Sequence, residues 1–600
     1  MKNFKHIDQD VRANGQKNPS KPVLFHKDKG DGNWKGMTWS DTLVDSEKVS
    51  KSLIDFGLEA GDRVGIFSQN SPEWILADIG ILSIRAVTVP IYATNSAKEA
   101  EYIIQDAEIS IVFAGDQVIY DRLLSLFGKL SCLKQIVAMQ KDIVLSEEVN
   151  SVYWDAFLSR AEGVDSKELD KRYASADQGD LASIIYTSGT TGEPKGVMLD
   201  HLNFLESFIA HDTDLTTTED YRSLSILPLS HIYERSWVFF CLHKGMAIYF
   251  NEDPKEMANA LKEVKPHIMC TVPRMYEKIY AAIQDKKNSS SALLAGIMNW
   301  SLAVGDDYYN EHLRLDKKPG LILGLKYKVA NALVFKKLRG GFGGDLQFTP
   351  CGGAALSGDL VRFFHSFGIR VICGYGLTET TATATLFADK NFDFSSAGRP
   401  IYGAEVKIGE NQEILVKGPG VMRGYYKKPE ATAAVFEGEW FKTGDAGKID
   451  EQGQLTITDR IKDLMKTSGG KYIAPQKLEM ALVCDEMIEQ IAVIGDQRNF
   501  VTALAVPSFI NLKNYADKHG ISYKSVEDLI SNSQIKKMMI KRFDHLQKDF
   551  SGFEKIKKFT LLPREFTIEK GEITSTLKLK RKVIQNKYKE LIDKMYSSKK

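Results

Sequence analysis

Apolar positions along residues 40–140 alternate between a helical period and short continuous runs. The helical period recurs in three places, at residues 41–56, 72–84 and 96–107. Apolar runs typical of strands lie beside these helices, at residues 62–68, 86–91 and 109–114. Ser40 or Asp41 is the predicted N-cap of the first helix. Because strands and helices of this length alternate, the segment predicts βαβ units and a parallel sheet.

The same alternation returns further along the chain. Later apolar runs predict strands at residues 181–186, 223–228, 247–250, 268–272, 347–349 and 370–373. A polar helical region from about 275 to 337 interrupts them, with an exposed serine-rich loop at 289–291. After residue 395, glycines, turns and short alternating segments at 413–417 and 454–458 predict a small β-rich subdomain.

The length of the chain predicts more than one domain, since 600 residues exceed what one hydrophobic core normally holds. A change of composition places the main boundary near residues 460–462. We therefore predict an α/β protein with two domains. The large N-terminal domain, residues 1–460, has layered parallel sheets, a helical insertion at about 275–340 and the β-rich subdomain at about 395–458. Residues 461–600 form a small α+β C-terminal domain.

Composition and charge change this picture little. The chain is 43% hydrophobic and 26% charged, as in an ordinary soluble globular protein, and its formal net charge of +1 gives no case for nucleic acid as a partner. Six scattered cysteines without a C-x-x-C pair disfavour a zinc site or a disulfide framework and fit a reducing cytoplasm. No signal peptide and no bilayer-spanning apolar run is present, so a cytoplasmic protein is expected.

Residues 186–196 carry the strongest chemical signal, with the sequence Tyr-Thr-Ser-Gly-Thr-Thr-Gly-Glu-Pro-Lys-Gly. Backbone N–H groups and hydroxyls of such a loop can close around phosphate oxygens, and Lys195 can add a positive charge. The loop is not a Walker A motif, because Pro194 precedes the lysine and Gly196 follows it. Taken alone, it is also compatible with a surface turn. The candidate phosphate-binding residues are Thr187, Ser188, Gly189, Thr190, Thr191 and Lys195.

A second candidate segment, residues 374–380, follows a predicted strand and so lies where open α/β sheets place ligands. Tyr375 can stack on a base, the Thr378 hydroxyl can bind a phosphate oxygen, and the Glu379 carboxylate can hold Mg²⁺ beside it. Without the first loop, the same residues would be taken for a capped strand-to-helix turn.

Together with three later motifs, these segments resemble the adenylate-forming superfamily, which includes acyl-CoA synthetases, peptide-synthetase adenylation domains and firefly luciferase. The later motifs lie at residues 440–445, 459–471 and 576–581, so the resemblance spans about residues 180–580 in the same order. It implies that the loop holds the β- and γ-phosphates of ATP and that Tyr375 and Gly376 line the nucleotide site.

The resemblance also assigns the adenine and ribose contacts. The backbone of residues 351–355, with Gly353, Ala354 and Ala355, would lie against adenine. Asp445 would accept hydrogen bonds from both ribose hydroxyls, because a carboxylate has two acceptor oxygens. Arg460 would contact the ribose as well.

The segment from residue 459 to 471 carries the roles linked to coenzyme A by the same resemblance. Lys462 occupies the hinge position about which the C-terminal domain rotates between two half-reactions. Gly469 and Gly470 would line a narrow pantetheine tunnel, and Lys466 and Lys471 would assist thioester formation. Judged without the other motifs, this segment is a solvated charged loop between domains.

The catalytic lysine is assigned to Lys578, in a Thr-Leu-Lys variant common in long-chain acyl-CoA synthetases. Lys580 is the competitor, since a shift of two residues leaves a side chain on the same face of a strand. An ordinary basic tail is the other alternative, because residues 571–600 contain nine Lys/Arg and three Asp/Glu.

Segments 227–235 and 271–280 resemble the long-chain acyl-CoA synthetase group within the superfamily. No Phe-Asp pair typical of amino-acid activation is found near His231, so an apolar acid fits better. Trp237, Val238 and Phe239 would then line the acyl pocket, although they suit the hydrophobic core equally well. His231 would gate or position the thiol, or would be a stacked structural histidine.

The resemblance thus implies Mg²⁺-dependent activation of a long-chain fatty acid by ATP, followed by transfer of the acyl group to coenzyme A. A ligase that stops at acyl-AMP or serves an acyl carrier protein is a nearby alternative, but the short connector between Asp445 and Arg460 leaves no room for the insertion typical of such enzymes. A catalytically inactive lipid-binding protein is the alternative of another class. The basic segments and an insoluble substrate predict peripheral association with the inner face of a membrane. A homodimer is left open.

Overall fold

A computed structural model describes residues 4–187, 193–461, 464–469, 471–568, 570–574 and 578–597. Up to Arg460, the strands are β1 (Pro22–Lys27), β2 (Trp34–Thr38), β3 (Arg63–Ser68), β4 (Val87–Tyr92), β5 (Ile111–Ala114), β6 (Gln135–Ala138), β7 (Ser151–Tyr153), β8 (Leu181–Thr187), β9 (Lys195–Asp200), β10 (Arg222–Ser225), β11 (Ala247–Phe250), β12 (Thr349–Cys351), β13 (Val371–Tyr375), β14 (Thr385–Leu386), β15 (Arg399–Pro400), β16 (Glu405–Ile408), β17 (Glu413–Lys417), β18 (Gly424–Tyr425), β19 (Phe436–Glu437), β20 (Trp440–Ile449) and β21 (Leu455–Arg460).

The helices of the same region cover the sheets and form the insertion. They are α1 (Ile7–Gly15), α2 (Trp39–Asp55), α3 (Pro72–Ser83), α4 (Ala97–Asp106), α5 (Gln117–Leu124), α6 (Trp154–Ser159), α7 (Ser166–Ala174), α8 (His201–Asp214), α9 (Ile232–Lys244), α10 (Met257–Val264), α11 (Pro273–Asn288), α12 (Ala292–Gly305), α13 (Leu321–Ala330), α14 (Lys336–Gly340), α15 (Gly358–Ser366) and α16 (Pro429–Ala433).

The first sheet has eight strands in the order β18-β9-β8-β4-β3-β5-β6-β7. Within this sheet, the six neighbouring strands β8, β4, β3, β5, β6 and β7 run parallel, which confirms the predicted βαβ organisation. Strand β3 is buried from Val64 to Ser68, as expected for a parallel strand with helices on both faces. At the other edge, β9 and β18 are antiparallel, because β9 returns directly beside β8.

A second layer is built from two four-stranded sheets, β10-β11-β1-β2 and β12-β13-β14-β15. Ile268 joins them, because it forms parallel bridges to both Ser223 and Phe348. The strand predicted at 268–272 is therefore reduced to single bridges at Ile268 and Thr271. The core spans both layers and includes the fully buried Trp39, Trp74 and Phe239.

The β-rich subdomain is a separate five-stranded antiparallel sheet of β16, β17, β19, β20 and β21. It begins at Glu405 and ends at Arg460, close to the predicted range. Helices α11 to α14 lie in the range predicted for the helical insertion. Among the described residues, no helix has the length and apolar content needed to cross a bilayer.

Residues after Arg460 form two further sheets, β22-β23 and β24-β25-β26, surrounded by helices. The strands are β22 (Met465–Lys466), β23 (Tyr472–Ile473), β24 (Ile488–Ile494), β25 (Val501–Pro507) and β26 (Ile556–Leu561). The helices are α17 (Pro475–Val483), α18 (Phe509–Lys518), α19 (Val526–Ser531), α20 (Ser533–Leu546), α21 (Arg581–Lys587) and α22 (Lys589–Tyr596). This mixture agrees with the predicted α+β class.

One local prediction is wrong. The N-cap of α2 is Thr38, whose hydroxyl accepts a hydrogen bond from the backbone N–H of Asp41 at 3.1 Å. The Asp41 carboxylate accepts in return from the backbone N–H of Thr38, also at 3.1 Å. The helix therefore begins at Trp39, earlier than the sequence pattern predicted, because this capping box satisfies its first N–H groups.

Candidate active site

The two ends of the predicted phosphate loop face each other across β8 and β9. Thr187 pairs with Lys195 in the strand register, and the Thr187 hydroxyl donates to the Lys195 carbonyl oxygen at 3.4 Å. Ser188, Gly189, Thr190 and Thr191 lie outside the described residues. The antiparallel pair thus fixes where the loop leaves and re-enters the sheet.

Tyr425 connects this loop to the candidate magnesium ligand. The Lys195 ammonium lies 4.5 Å from the centre of the Tyr425 ring, within reach of a cation–π interaction. The Tyr425 hydroxyl donates to Oε1 of Glu379 at 2.9 Å. Burial first, and then the charge of Glu379, raise the pKa of Tyr425, so the phenol stays protonated at neutral pH.

Sequence reasoning missed Tyr425. It lies on β18, which pairs with β9 through Tyr425 and Val197. The only available signal was the aromatic Gly-Tyr-Tyr segment at 424–426, which has no distinctive spacing of its own.

Tyr375, Asp445 and Arg460 form the second cluster. The Tyr375 hydroxyl donates to Oδ2 of the buried Asp445 at 2.8 Å. Arg460 Nε lies 3.2 Å from Oδ1 of the same carboxylate, because the two residues are directly opposite on β20 and β21. Burial, followed by the Asp445 charge, raises the pKa of Tyr375. The carboxylate is held in a fixed orientation by two partners, as recognition of a diol requires.

Glycines allow the chain to turn tightly beside these clusters. A Cβ atom on Gly376 would lie 2.0 Å from the backbone oxygen of Ala382, so no larger residue fits there. Gly353 has a φ of +81°, a left-handed conformation that favours glycine. Gly353, Ala354 and Ala355 are exposed, which leaves their backbone accessible to a flat ring.

His231 caps α9 and lies close to the C-terminal part of the chain. Its Nδ1 accepts a hydrogen bond from the backbone N–H of Tyr233 at 3.1 Å, which places the proton of the neutral ring on Nε2. Desolvation first, and then the positive charge of Lys578, lower the pKa of His231 to about 4. The imidazole is therefore neutral at pH 7 and offers Nε2–H as a donor.

Lys578 is hydrogen-bonded to Thr574. Its N–H donates to the Thr574 hydroxyl at 3.0 Å, and its carbonyl oxygen accepts from the Thr574 N–H at 2.8 Å. Its charge acts on His231, more than 300 residues earlier in the chain. Lys580 instead occupies the N-cap position of α21. The structure thus brings Lys578 towards the N-terminal site.

Glu379 and Thr378 are half-buried in a short 3₁₀ turn after β13. Within the part of the chain that the structure describes, no group of three or more His, Cys, Asp or Glu side chains is placed to hold a metal ion. A single carboxylate still fits Mg²⁺, which usually takes one or two protein carboxylates and completes its shell with phosphate oxygens and water.

Three of the predicted coenzyme A residues, Lys466, Gly469 and Lys471, lie on the β22–β23 hairpin. Lys466 and Lys471 are exposed, and their ammonium groups lie over Tyr472 and Phe553 at 5.5 and 5.8 Å. Gly469 is exposed at the tip. Lys462 and Gly470 lie outside the described residues. The hairpin therefore makes its described contacts within the C-terminal region.

The three candidate acyl-pocket residues lie on the buried helix α9. Trp237 donates from its indole N–H to the Ser223 hydroxyl at 3.1 Å, and Val238 and Phe239 are fully buried. Next to them, Arg235 and Asp78 form a fully buried ion pair at 2.7 Å, which sequence reasoning did not find. These contacts describe a core environment, and the assignment to an acyl pocket stays a prediction.

The geometry as a whole defines a class of protein. A fixed carboxylate–arginine–tyrosine cluster suits a ribose and a base, a hydroxyl-rich loop with a lysine suits phosphates, and Glu379 suits a metal bound to them. A second lysine reaches the same region from another part of the chain. These are the parts of an enzyme that binds and activates a nucleoside triphosphate.

Comparisons with known proteins identify the family. Residues 11–426 match the model for "AMP-binding enzyme", and residues 462–600 match "AMP-binding enzyme C-terminal domain". The chain therefore belongs to the AMP-binding enzyme family, and the predicted resemblance to adenylate-forming enzymes is confirmed.

Full-length relatives carry more specific names. The chain is 33% identical to "Long-chain-fatty-acid--CoA ligase FadD15" of Mycobacterium bovis, with 94% of this chain and 93% of that protein covered. It is 30% identical to "Long chain acyl-CoA synthetase 7, peroxisomal" of Arabidopsis thaliana, with 94% and 82% covered.

Solved structures share the fold. The anthranilate CoA ligase AuaEII, in complex with anthranoyl-AMP, superposes with a TM-score of 0.74 at 18% identity, and 99% of each chain is covered. The o-succinylbenzoate coenzyme A synthetase MenE of Bacillus subtilis, in complex with ATP and magnesium, gives a TM-score of 0.66 at 20% identity, with 96% of this chain and 98% of that chain covered.

Proposed function

We propose that the protein activates a long-chain fatty acid with ATP and transfers the acyl group to coenzyme A. The predicted class, an acid–thiol ligase that forms AMP, is confirmed by relatives of that name along nearly the whole chain. The preference for long chains rests on the names of these relatives and on segments 227–235 and 271–280, which resemble the same group.

The observation that carries the proposal is a set of three contacts, each between residues from distant parts of the sequence. Glu379 is bonded to Tyr425 beside Lys195, Asp445 is held by Tyr375 and Arg460, and the charge of Lys578 reaches His231. A site for lipid binding alone would not need a ribose-type carboxylate, a candidate metal carboxylate and a lysine directed towards them.

In the first half-reaction, a carboxylate oxygen of the fatty acid forms a bond to the α-phosphorus of ATP. The bond from that phosphorus to the bridging oxygen breaks, and pyrophosphate leaves. A carboxylate is a weak nucleophile, so positioning and charge stabilisation supply the catalysis. Asp445 and Arg460 hold the ribose, the residue 187–195 loop holds the outer phosphates, and Lys578 offsets negative charge on the reacting phosphate.

Glu379 would hold Mg²⁺, which would supply positive charge to offset the negative charge of the phosphates. The Tyr425 hydroxyl orients this carboxylate through Oε1. The protonated phenol of Tyr425 is the donor in this hydrogen bond. Thr378, the residue before Glu379, is assigned to a phosphate oxygen.

In the second half-reaction, the thiol sulfur of coenzyme A forms a bond to the acyl carbonyl carbon, the bond from that carbon to the AMP oxygen breaks, and the thiol proton is released. We assign Lys466, Gly469, Gly470 and Lys471 to this step and Lys462 to the hinge. Rotation of residues 461–600 against residues 1–460 would withdraw Lys578 and deliver the β22–β23 hairpin. His231, neutral at pH 7, would serve as a hydrogen-bond donor rather than as a cation.

The connection between β20 and β21 supports coenzyme A as the acceptor. Strand β20 ends at Ile449 and β21 begins at Leu455, with a turn in which the Gly453 N–H donates to the Asp450 carbonyl oxygen at 3.0 Å. This tight hairpin has no insertion that would block rotation after Asp445. An enzyme that stops at acyl-AMP is therefore disfavoured.

Product analysis with ATP, Mg²⁺, coenzyme A and a series of acids from acetate to oleate tests the proposal. We expect oleoyl-CoA, AMP and pyrophosphate, with short acids used poorly. Acyl-AMP without thioester would contradict the transfer step, and absence of fatty-acid-dependent ATP–pyrophosphate exchange would contradict the enzymatic function itself. Peripheral membrane binding and a cytoplasmic location remain part of the proposal, and a homodimer stays a prediction.

A further inference from the structure

The helical insertion presents a cluster of apolar side chains to solvent. Helices α12 and α13 pack against each other. The exposed apolar side chains of α13 and the helical turn that follows it, here called the insertion patch, are Leu321, Ile322, Leu325 and Leu333. Leu321 is 95% exposed and Ile322 is 75% exposed. Exposed apolar side chains grouped in this way mark an interaction surface, whereas single ones do not.

The opposite face of α13 and of the turn that follows it is packed against the rest of the protein. Tyr327 stacks on Tyr308 with ring centres 4.1 Å apart, and Ala330 and Phe335 are fully buried. One face of this amphipathic helix therefore packs against the protein, and the exposed apolar side chains lie on its other face. Leu321 and Leu325 are four residues apart and so lie on one face.

Unpaired lysines surround the patch. Residues 317–344 contain no Asp or Glu, and residues 288–305, which include all of α12, contain no charged residue. The six lysines near the patch are Lys317, Lys318, Lys326, Lys328, Lys336 and Lys337. Among the residues that the structure describes, none of them forms an ion pair within 4.0 Å.

The lysines are also placed as an interfacial helix requires. At about 100° per residue, Lys326 and Lys328 fall on opposite flanks of the stripe formed by Leu321, Ile322 and Leu325. Apolar side chains in the centre and long cations at the flanks match a bilayer surface, where the chains enter the headgroup region and the ammonium groups meet phosphate.

We propose that the insertion patch is a docking surface for an anionic lipid bilayer, on which the helices lie without crossing it. The charge favours this occupant over a second copy of the chain, because two such surfaces would bring twelve unpaired lysines together. That the bilayer also delivers the fatty acid rests on the proposed function.

Vesicle sedimentation tests the proposal with matched variants. Ile322→Glu changes the patch, and Ile510→Glu changes an isoleucine of α18 with the same 75% exposure outside it. On vesicles of phosphatidylglycerol and phosphatidylcholine, we expect about tenfold weaker binding for Ile322→Glu and wild-type binding for Ile510→Glu. The double change Lys326→Gln/Lys328→Gln should weaken binding to these vesicles more than Lys513→Gln/Lys518→Gln, and high salt should reduce the difference.

Three outcomes would overturn the proposal. The first is that wild-type protein does not bind anionic vesicles, and the second is that the patch variant and the control variant lose vesicle binding equally. The third is that Ile322→Glu changes the oligomeric state in the absence of lipid, which would assign the patch to a second copy of the chain. Acyl-CoA synthesis from detergent-dispersed oleate is measured in parallel. Patch-dependent vesicle binding without synthesis would refute the proposed function alone, and synthesis without patch-dependent binding would refute the docking surface alone.

Discussion

Glu234 is a carboxyl group with an unusual environment, directly behind His231 and Tyr233 on α9. It is fully buried, and neither carboxylate oxygen has a hydrogen-bond partner of good geometry among the described residues. Burial raises its pKa to about 8, although the Ser225 hydroxyl and the N–H groups of Ile226 and Leu227 are near enough to oppose this shift. The group is therefore largely protonated at neutral pH.

This environment predicts a pH-dependent stability. The pKa of Glu234 is higher in the folded than in the unfolded chain. The contribution of this group to the free energy of unfolding is therefore fully present below pH about 4.5 and is lost as the pH rises towards about 8. Glu234→Gln, which cannot ionise, should raise the unfolding free energy at pH 8 relative to wild type by a few kcal/mol, with little change near pH 5. Thermal unfolding at both pH values measures the difference.

Glu451→Gln is the matched control, because Glu451 is exposed. An equal change in both variants, or a Glu234→Gln effect that does not depend on pH, would show that Glu234 does not titrate as described.

At the scale of the element, the turn after β13 is set by a close backbone approach. It follows Tyr375 and carries Thr378 and Glu379, and it is possible only because Gly376 lacks a side chain facing the Ala382 carbonyl. Gly376→Ala should displace the turn and reduce ATP-dependent adenylation by about a hundredfold, since misplacement of about 1 Å has costs of this order. Kinetics of fatty-acid-dependent ATP–pyrophosphate exchange would measure the loss.

Gly296→Ala serves as its control. Gly296 lies within α12, and a Cβ atom there would have no heavy atom within 4 Å. Alanine in the interior of a helix is favoured over glycine by about 0.5–1 kcal/mol, so this variant should keep full activity and be slightly more stable. Normal exchange activity in Gly376→Ala would contradict the role given to the close approach.

At the scale of the whole molecule, the position of Lys578 predicts a split between the two half-reactions. Lys578→Ala should reduce adenylate formation by at least about a hundredfold, because a charge near the reacting phosphate is lost. Thioester formation from supplied acyl-AMP and coenzyme A should be unchanged, because Lys578 is withdrawn in that step. Lys580→Ala is the control. If Lys580→Ala, and not Lys578→Ala, loses adenylate formation while it keeps thioester formation, the catalytic lysine is Lys580.

The contact between the N-terminal and C-terminal regions predicts a second effect at this scale. Arg274 on α11 donates to the Glu489 carbonyl oxygen at 2.8 Å and forms an ion pair with its carboxylate. Nearby, a hydrogen bond with Glu486 raises the pKa of Asp285 to about 6, while the same hydrogen bond first, and then Arg542, lower the pKa of Glu486. Asp285 is therefore the carboxyl of this pair that carries the proton at pH below about 6.

The pKa of Asp285 is higher in the folded than in the unfolded protein. The stabilisation from its hydrogen bond with Glu486 is therefore fully present below pH about 4 and is lost as the pH rises through about 6. Hydrogen exchange in α11 and α17 should therefore increase between pH 5 and 7.5, after correction for the intrinsic rate. Asp285→Asn keeps a donor and should remove this increase. An unchanged pH profile in Asp285→Asn would exclude the titration of Asp285 as its cause.

The sequence by itself determined most local structure and the identity of the chemical groups. Periodicity located the βαβ segments because apolar side chains must face the core, and the resemblance of local motifs to those of a known superfamily pointed to Glu379, Asp445 and Arg460 as candidate site residues. It misplaced the N-cap of α2, since Thr38, Ser40 and Asp41 all have capping side chains and only the backbone path selects among them.

Only the tertiary structure decided which of these groups meet. Tyr425 joins Glu379 because β18 pairs with β9, Lys578 acts on His231 across more than 300 residues, and Glu234 is isolated by its burial. The patch is likewise visible only once the opposite helix face is packed. Such contacts depend on long-range strand pairing and desolvation, which no local pattern of hydrophobic and polar residues encodes.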